Sequence, residues 1–199
     1  MAIRIDGTNT TANPGITGAD ADTGLQFGTN ELKLVTGGTE AVKIGSNQKL
    51  TASQGILFGT DTAAANTLDD YEEGTFTPTV SSGITSPSLT SAQGHYVKVG
   101  TIVMCSVDFR MNGNQTGNGD AFKIGGLPFN NSTDGSIYGS ATIQYNSILG
   151  GFTELRAGHF NETSTIHFFN GTNIINGNTA GVNLANQKRI IMQLVYKST

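Results

Sequence analysis

Four carboxylates crowd into five positions of this chain: Asp69, Asp70, Glu72 and Glu73. Carboxylate pairs serve glycoside hydrolysis, one as acid and one as base or nucleophile. Clustered carboxylates also suit Ca²⁺. Both chemistries need a framework that fixes the spacing of the oxygens. Here the four lie almost consecutively in a linker rich in Gly, Thr and Asn, and their spacing fits no EF-hand loop. The expectation is a charged junction that keeps the segments on either side soluble and apart. The histidines, His95, His159 and His167, form no His-Glu-x-x-His pattern and are expected as ordinary strand residues. Cys105 is the sole cysteine, so an internal disulfide or a cysteine zinc cluster is impossible. Its apolar neighbours make it a buried strand residue. No P-loop and no Gly-x-Ser-x-Gly elbow occur. The reading is therefore a non-enzyme, with no catalytic residue, metal ligand or cofactor assigned.

The elements around these residues are turn-rich. The chain has 199 residues, of which 27 are Gly, 36% hydrophobic and 13% charged. So little charge argues against disorder, and abundant Gly with small polar residues points to an all-β protein. Candidate strands in the C-terminal part are Thr75–Val80, His95–Val99, Thr101–Met111, Ala121–Ile124, Ser136–Tyr145, Thr153–Phe160, Ser164–Phe169 and Lys188–Tyr196. Gly, Asn, Ser or Pro breaks them. Short strands so punctuated suggest a β-sandwich or jelly-roll-like head over 79–199.

The two halves differ. Residues 1–74 carry net −6 and 75–199 carry +2, within the overall −4. Of the Phe and Tyr residues only Phe27 and Phe58 precede Tyr71. Aromatics dominate core energetics, so the C-terminal part can build its own core while the N-terminal part needs partner chains. Leu32-Lys33-Leu34-Val35 and Ala41-Val42-Lys43-Ile44 alternate around Gly37-Gly38, a hairpin signal. Gly24-Leu25-Gln26-Phe27-Gly28-Thr29 recurs as Gly55-Ile56-Leu57-Phe58-Gly59-Thr60. Residues 24–67 are expected to form an extended β stem. Leu25, Phe27, Leu32, Leu34, Val42, Ile44, Ile56 and Phe58 would pack in an intertwined oligomer or dock into a larger body, because a lone hairpin cannot bury its apolar face. Three chains around an axis could bury three such faces, with these residues as the trimer core. Residues 68–78 would be the acidic junction.

The same numbers bound the partners. The densest basic pair is Lys188-Arg189, too little for the basic stripe of a nucleic-acid binder. No apolar run approaches the ~18 residues of a membrane helix. The first residues lack the apolar region of a signal peptide, so cytoplasmic synthesis is expected.

The junction Leu68-Asp69-Asp70-Tyr71-Glu72-Glu73-Gly74-Thr75-Phe76-Thr77-Pro78 resembles one found in tail-fibre-like virion proteins of marine phages, cyanophages especially. Upstream, Asn30–Glu40 resembles the same group's stem. Downstream, Gly94-His95-Tyr96-Val97-Lys98-Val99-Gly100 and Gly126-Leu127-Pro128-Phe129 resemble its C-terminal domain. The resemblance spans roughly residues 24 to 130, in family order. It implies a homotrimeric virion fibre whose tip contacts a host-surface glycan or protein, released with the virion on lysis. Residues 1–23, with Ala2, Ile3, Arg4, Ile5 and Asp6 foremost, would anchor it to other virion proteins of tail or capsid. A capsid decoration or head fibre and a small glycan depolymerase are the alternatives.

Recognition belongs on loops held by a rigid scaffold, where amides and hydroxyls meet aromatic faces. The polar segments 112–119 and 161–178 fit, and Asn112, Asn114, Gln115, Asn118, Asn161, Asn170 and Asn173 are the candidate receptor-binding residues.

Overall fold

The computed structural model describes residues 4–5, 7, 9–12, 14–60, 62–132, 139–159 and 164–198. They divide into two compact units, 1–69 and 70–199. Both are β throughout, apart from one 3₁₀ turn at Ala64–Asn66.

The first unit is a six-stranded antiparallel sheet in sequence order: β1 (Arg4–Ile5), β2 (Ile16–Thr17), β3 (Gly24–Gly28), β4 (Glu31–Thr36), β5 (Thr39–Ile44) and β6 (Leu50–Ala52). The Gly37-Gly38 turn joins β4 to β5 with φ of 54° and 69°. Two consecutive positive φ values match the right-handed twist of a two-residue hairpin, and Gly adopts them without a Cβ clash. Gly24–Gly28 is a strand, but its repeat Gly55–Thr60 is not, making only an Ile56–Leu68 bridge. Its Gly55 and Gly59 have φ of 77° and 69°, which interrupts extended backbone.

The second unit contains β7 (Tyr71–Phe76), β8 (Thr79–Ser82), β9 (Ile84–Thr85), β10 (Leu89–Val99), β11 (Ile102–Met111), β12 (Thr116–Gly117), β13 (Lys123–Gly125), β14 (Ser140–Asn146), β15 (Leu155–His159), β16 (Ile166–Asn170), β17 (Asn173–Ile174) and β18 (Arg189–Lys197). Nine of them form one curled antiparallel sheet, in the order β7-β10-β11-β18-β14-β15-β16-β13-β8. Strand β17 pairs with β16, and β9 pairs with β12 as a small separate ribbon.

Alternation in the sequence decides what this sheet buries. Along β11, Val103, Cys105, Val107, Phe109 and Met111 point inward, and along β18 so do Ile190, Met192, Leu194 and Tyr196. They meet Phe122, Ile124, Ile166, Phe168 and Ile175 from the far limb of the curl and Ile148 from the bend after β14. Each buried aliphatic or aromatic side chain contributes about 1.5–3 kcal/mol. Irregularities at Leu89/Ser91 in β10 and Ile143/Tyr145 in β14 add local twist, which lets the sheet curl. Burial pushes the Cys105 thiol up to about 12, so it is a core residue and no thiolate.

Among the described residues no helix is long and apolar enough to cross a membrane.

Candidate functional site

The acidic junction is taken into the fold one carboxylate at a time. Asp70 pairs with Lys98 Nζ, whose side chain is only 10% exposed, and the Asp70 carbonyl accepts the Gly100 N–H at 2.7 Å. Neighbours on a strand face opposite ways, so Glu72 and Glu73 lie on opposite faces of β7. Tyr96 Oη donates to Glu72 Oε1 at 2.5 Å, and Tyr71 Oη donates to Glu73 Oε2 at 2.6 Å. Holding a proton toward a carboxylate raises both phenols above their ordinary range. Glu72 and Glu73 thus do not flank one cleft. Among the described residues no group of three or more His, Cys, Asp or Glu is placed to hold a metal ion.

The Gly126–Phe129 segment closes over the same place. Lys98 Nζ lies 5.5 Å from the Phe129 ring centre, and the Tyr96 ring meets Phe129 edge-on at 5.3 Å. Tyr196 Oη donates to the Phe129 carbonyl at 3.0 Å, and Leu127 is buried in the core. Two motifs some fifty residues apart therefore form one clasp. Inside it, aromatic rings cover glycines across the β7–β10 pair: Tyr96 faces Gly74, and Phe76 faces Gly94. A Cβ on Gly74 would lie 2.9 Å from Tyr96 Cε1, and one on Gly94 would overlap the Phe76 ring. These glycines serve close approach, not turning.

Loops 112–115, 147–151 and 181–185 line an open groove of about 760 Å³ in the second unit. The loops are bolted together by backbone. Gln115 N–H donates to the Leu184 carbonyl (2.9 Å), Asn183 N–H to that of Ile148 (2.7 Å) and Gly150 N–H to that of Gly181 (2.9 Å). Gly181, at φ 98°, packs directly on the Gly150 carbonyl, where a Cβ has no room. Asn146 Oδ1 accepts the Ile148 and Leu149 N–H groups at 3.0 and 2.7 Å, which sets the 147–151 bend.

The predicted receptor residues separate here. Asn114 and Gln115 line the groove. Asn112 sits beside it, donating to Ser88 Oγ at 3.2 Å and accepting from the Gln115 amide. Asn118 caps its own turn by accepting the Asp120 N–H, and Asn170 accepts the Glu154 N–H. Asn170 and Asn173 flank the turn at Gly171 in the β16–β17 hairpin, away from the groove lining. Asn161 lies outside the described residues. Segments 112–119 and 161–178 do meet, but through glycine: Gly117 packs on the Gly177 backbone, and Asn178 N–H donates to the Asn118 carbonyl. Sequence reasoning missed 147–151 and 181–185. Nothing in the local sequence separates Gly150-Gly151 or Gly181 from the glycines of an ordinary turn.

In the first unit, strand register lays out two apolar rows on one face. One runs Ile16, Leu25, Leu34, Val42, Ala52, and the other Phe27, Leu32, Ile44, Leu50. Phe27 and Leu34 are each 48% exposed and Leu50 is 65% exposed. Ile56 and Phe58 follow the last strand and are also exposed. On the opposite face Lys33 pairs with Glu31 and Glu40 at 3.6 and 3.3 Å. Val35 is the one fully buried hydrophobic residue among this unit's described residues. Of the anchoring positions, Arg4 and Ile5 form β1, with Ile5 exposed, while Ala2, Ile3 and Asp6 lie outside the described residues.

Comparison with protein-family models, with curated proteins and with solved structures returned no match.

Proposed function

We propose that this chain is the protomer of a homotrimeric bacteriophage virion fibre that performs no catalysis. The first unit is the stem, completed by its copies. The second is a tip whose curled sheet packs its two limbs in the manner of a sandwich or jelly roll and contacts a host-surface glycan or protein. The resemblance of the junction and of Gly126–Phe129 to phage fibre proteins supplies the virion context.

The observation that carries the reading is the pair of apolar rows left open on the stem sheet. Contiguous apolar patches of this kind mark interaction surfaces, and covering a half-exposed Phe or Leu yields on the order of 1 kcal/mol. Three copies around an axis cover three such faces. The placing of Glu72 and Glu73 on opposite faces of β7, each holding a tyrosine, favours binding over depolymerase chemistry.

Sedimentation equilibrium on the full chain tests this. The expected mass is three times 20.8 kDa, falling to one protomer in Leu34→Asp. A monomer at micromolar concentration with the stem sheet intact overturns the proposal.

A further inference from the structure

We propose that the groove of the second unit binds an uncharged, polyhydroxylated ligand, an oligosaccharide of neutral sugars. The inference deepens the reading of this unit as a surface-contacting tip and rests on it for the ligand's source, a host surface. The chemistry comes from the groove itself.

Charge comes first. Among the described residues that line the groove, not one is ionisable. An anionic or cationic ligand entering there would give up solvation with no counter-charge to replace it. A neutral ligand meets no such cost.

Hydrogen bonding comes second. Asn114 Oδ1 accepts the Asn186 N–H at 3.0 Å, and Asn183 Oδ1 accepts the Ala185 N–H at 3.1 Å. Each carbonyl oxygen is thereby committed to the scaffold, which fixes the amide plane and leaves the NH₂ as the other hydrogen-bonding end. Both side chains line the groove and are exposed. The site is therefore rich in oriented donors, suited to ligands dense in hydroxyl, ether or carbonyl oxygens. Val182, half-buried at the groove, adds apolar surface for the C–H face of a sugar ring, while Ile148 and Leu184 beneath it belong to the core.

Shape and rigidity come third. A volume of 760 Å³ falls in the range of small-ligand sites and accommodates a short oligosaccharide. Gly150 and Gly151 carry no side chains, so a ligand can approach the backbone closely there. The Gly150–Gly181 and Asn183–Ile148 backbone bonds hold the walls before any ligand arrives. Preorganisation lowers the entropy lost on binding.

The test uses the full chain and two isosteric substitutions, Asn114→Asp and Asn183→Asp. Each keeps the acceptor oxygen that holds Asn186 or Ala185 and replaces the NH₂ donor with a negatively charged oxygen. The double variant is expected to melt with the parent protein. The probes are maltooligosaccharides and N-acetylglucosamine oligomers, against sialyllactose and heparin fragments, followed by calorimetry. Expected are binding of at least one neutral probe, none of the acidic ones, and a loss of at least about tenfold in the double variant. Neutral probes bound equally by the double variant, acidic probes bound in preference, or no probe bound at all would each overturn the proposal. Sedimentation run in parallel separates the two claims. A monomer that still binds neutral sugar through this groove sinks the fibre and leaves the site standing. A trimer that binds none does the reverse.

Discussion

Lys98 is buried beneath the Phe129 ring, and Asp70, about half exposed, supplies its counter-charge. Removing one partner of such a pair costs more than replacing the cation by an apolar side chain, because the first change strands a buried ammonium. Asp70→Ala should therefore destabilise the second unit by about 1–2 kcal/mol, a figure kept low because water still reaches the carboxylate. Lys98→Met, which retains the contact with Phe129, should cost less than that. Urea denaturation read out on the second unit decides the order, and a larger loss in Lys98→Met would contradict it. The same residues explain why the junction's chemistry misleads in the sequence. Asp69 to Glu73 read as a free acidic cluster; Tyr71 is a local partner of Glu73, two residues away on the same strand, but nothing local foretells that Lys98 and Tyr96 hold Asp70 and Glu72. Those partners are set by strand pairing between β7 and β10, which is non-local.

At the scale of elements, the crossed pairs Gly74–Tyr96 and Gly94–Phe76 fasten the edge strand β7 to the sheet. An aromatic ring lying over a glycine in the adjacent strand needs that Cβ to be absent. Gly94→Val should push the Phe76 ring out of its seat and cost about 1–3 kcal/mol. Early loss of amide protection across 71–76 should accompany it, read by hydrogen exchange. Uniform weakening of the whole sheet, without that local signature, would count against the ring-on-glycine account. Strand positions were legible for a simple reason: alternation is a local property. The inward residues of β11 and β18 and the Gly37-Gly38 hairpin follow from period-two patterning and turn chemistry. The Gly24–Thr29 repeat shows the limit of that method. Its second copy has the same letters, yet positive φ at Gly55 and Gly59 and the absence of a neighbouring strand leave it a loop with one bridge.

For the whole molecule, the two units differ in how they are held. The second unit owns a continuous apolar core, whereas the described residues of the first unit bury little hydrophobic surface beyond Val35 and leave much of its apolar rows exposed. If copies complete the first unit, its melting must depend on protein concentration by mass action, and the second unit's must not. Scanning calorimetry across a hundredfold dilution should move one transition downward and leave the other in place. Two concentration-independent transitions would argue that the first unit stands alone.

The amino-acid order by itself determined the all-β class, most strand positions, the hairpin, the buried cysteine and the contrast between a core-poor opening and a core-rich remainder. Each of these depends on residue types or on spacing along a few neighbours. The tertiary structure alone decided the order of the nine strands, the clasp that joins the junction to Phe129, and the groove. Its walls, around positions 114, 148 and 183, come from three separate loops. Their meeting is fixed by the curl of the sheet and by Gly150–Gly181 backbone contact. Such contacts between residues far apart in the chain leave no periodic trace in it.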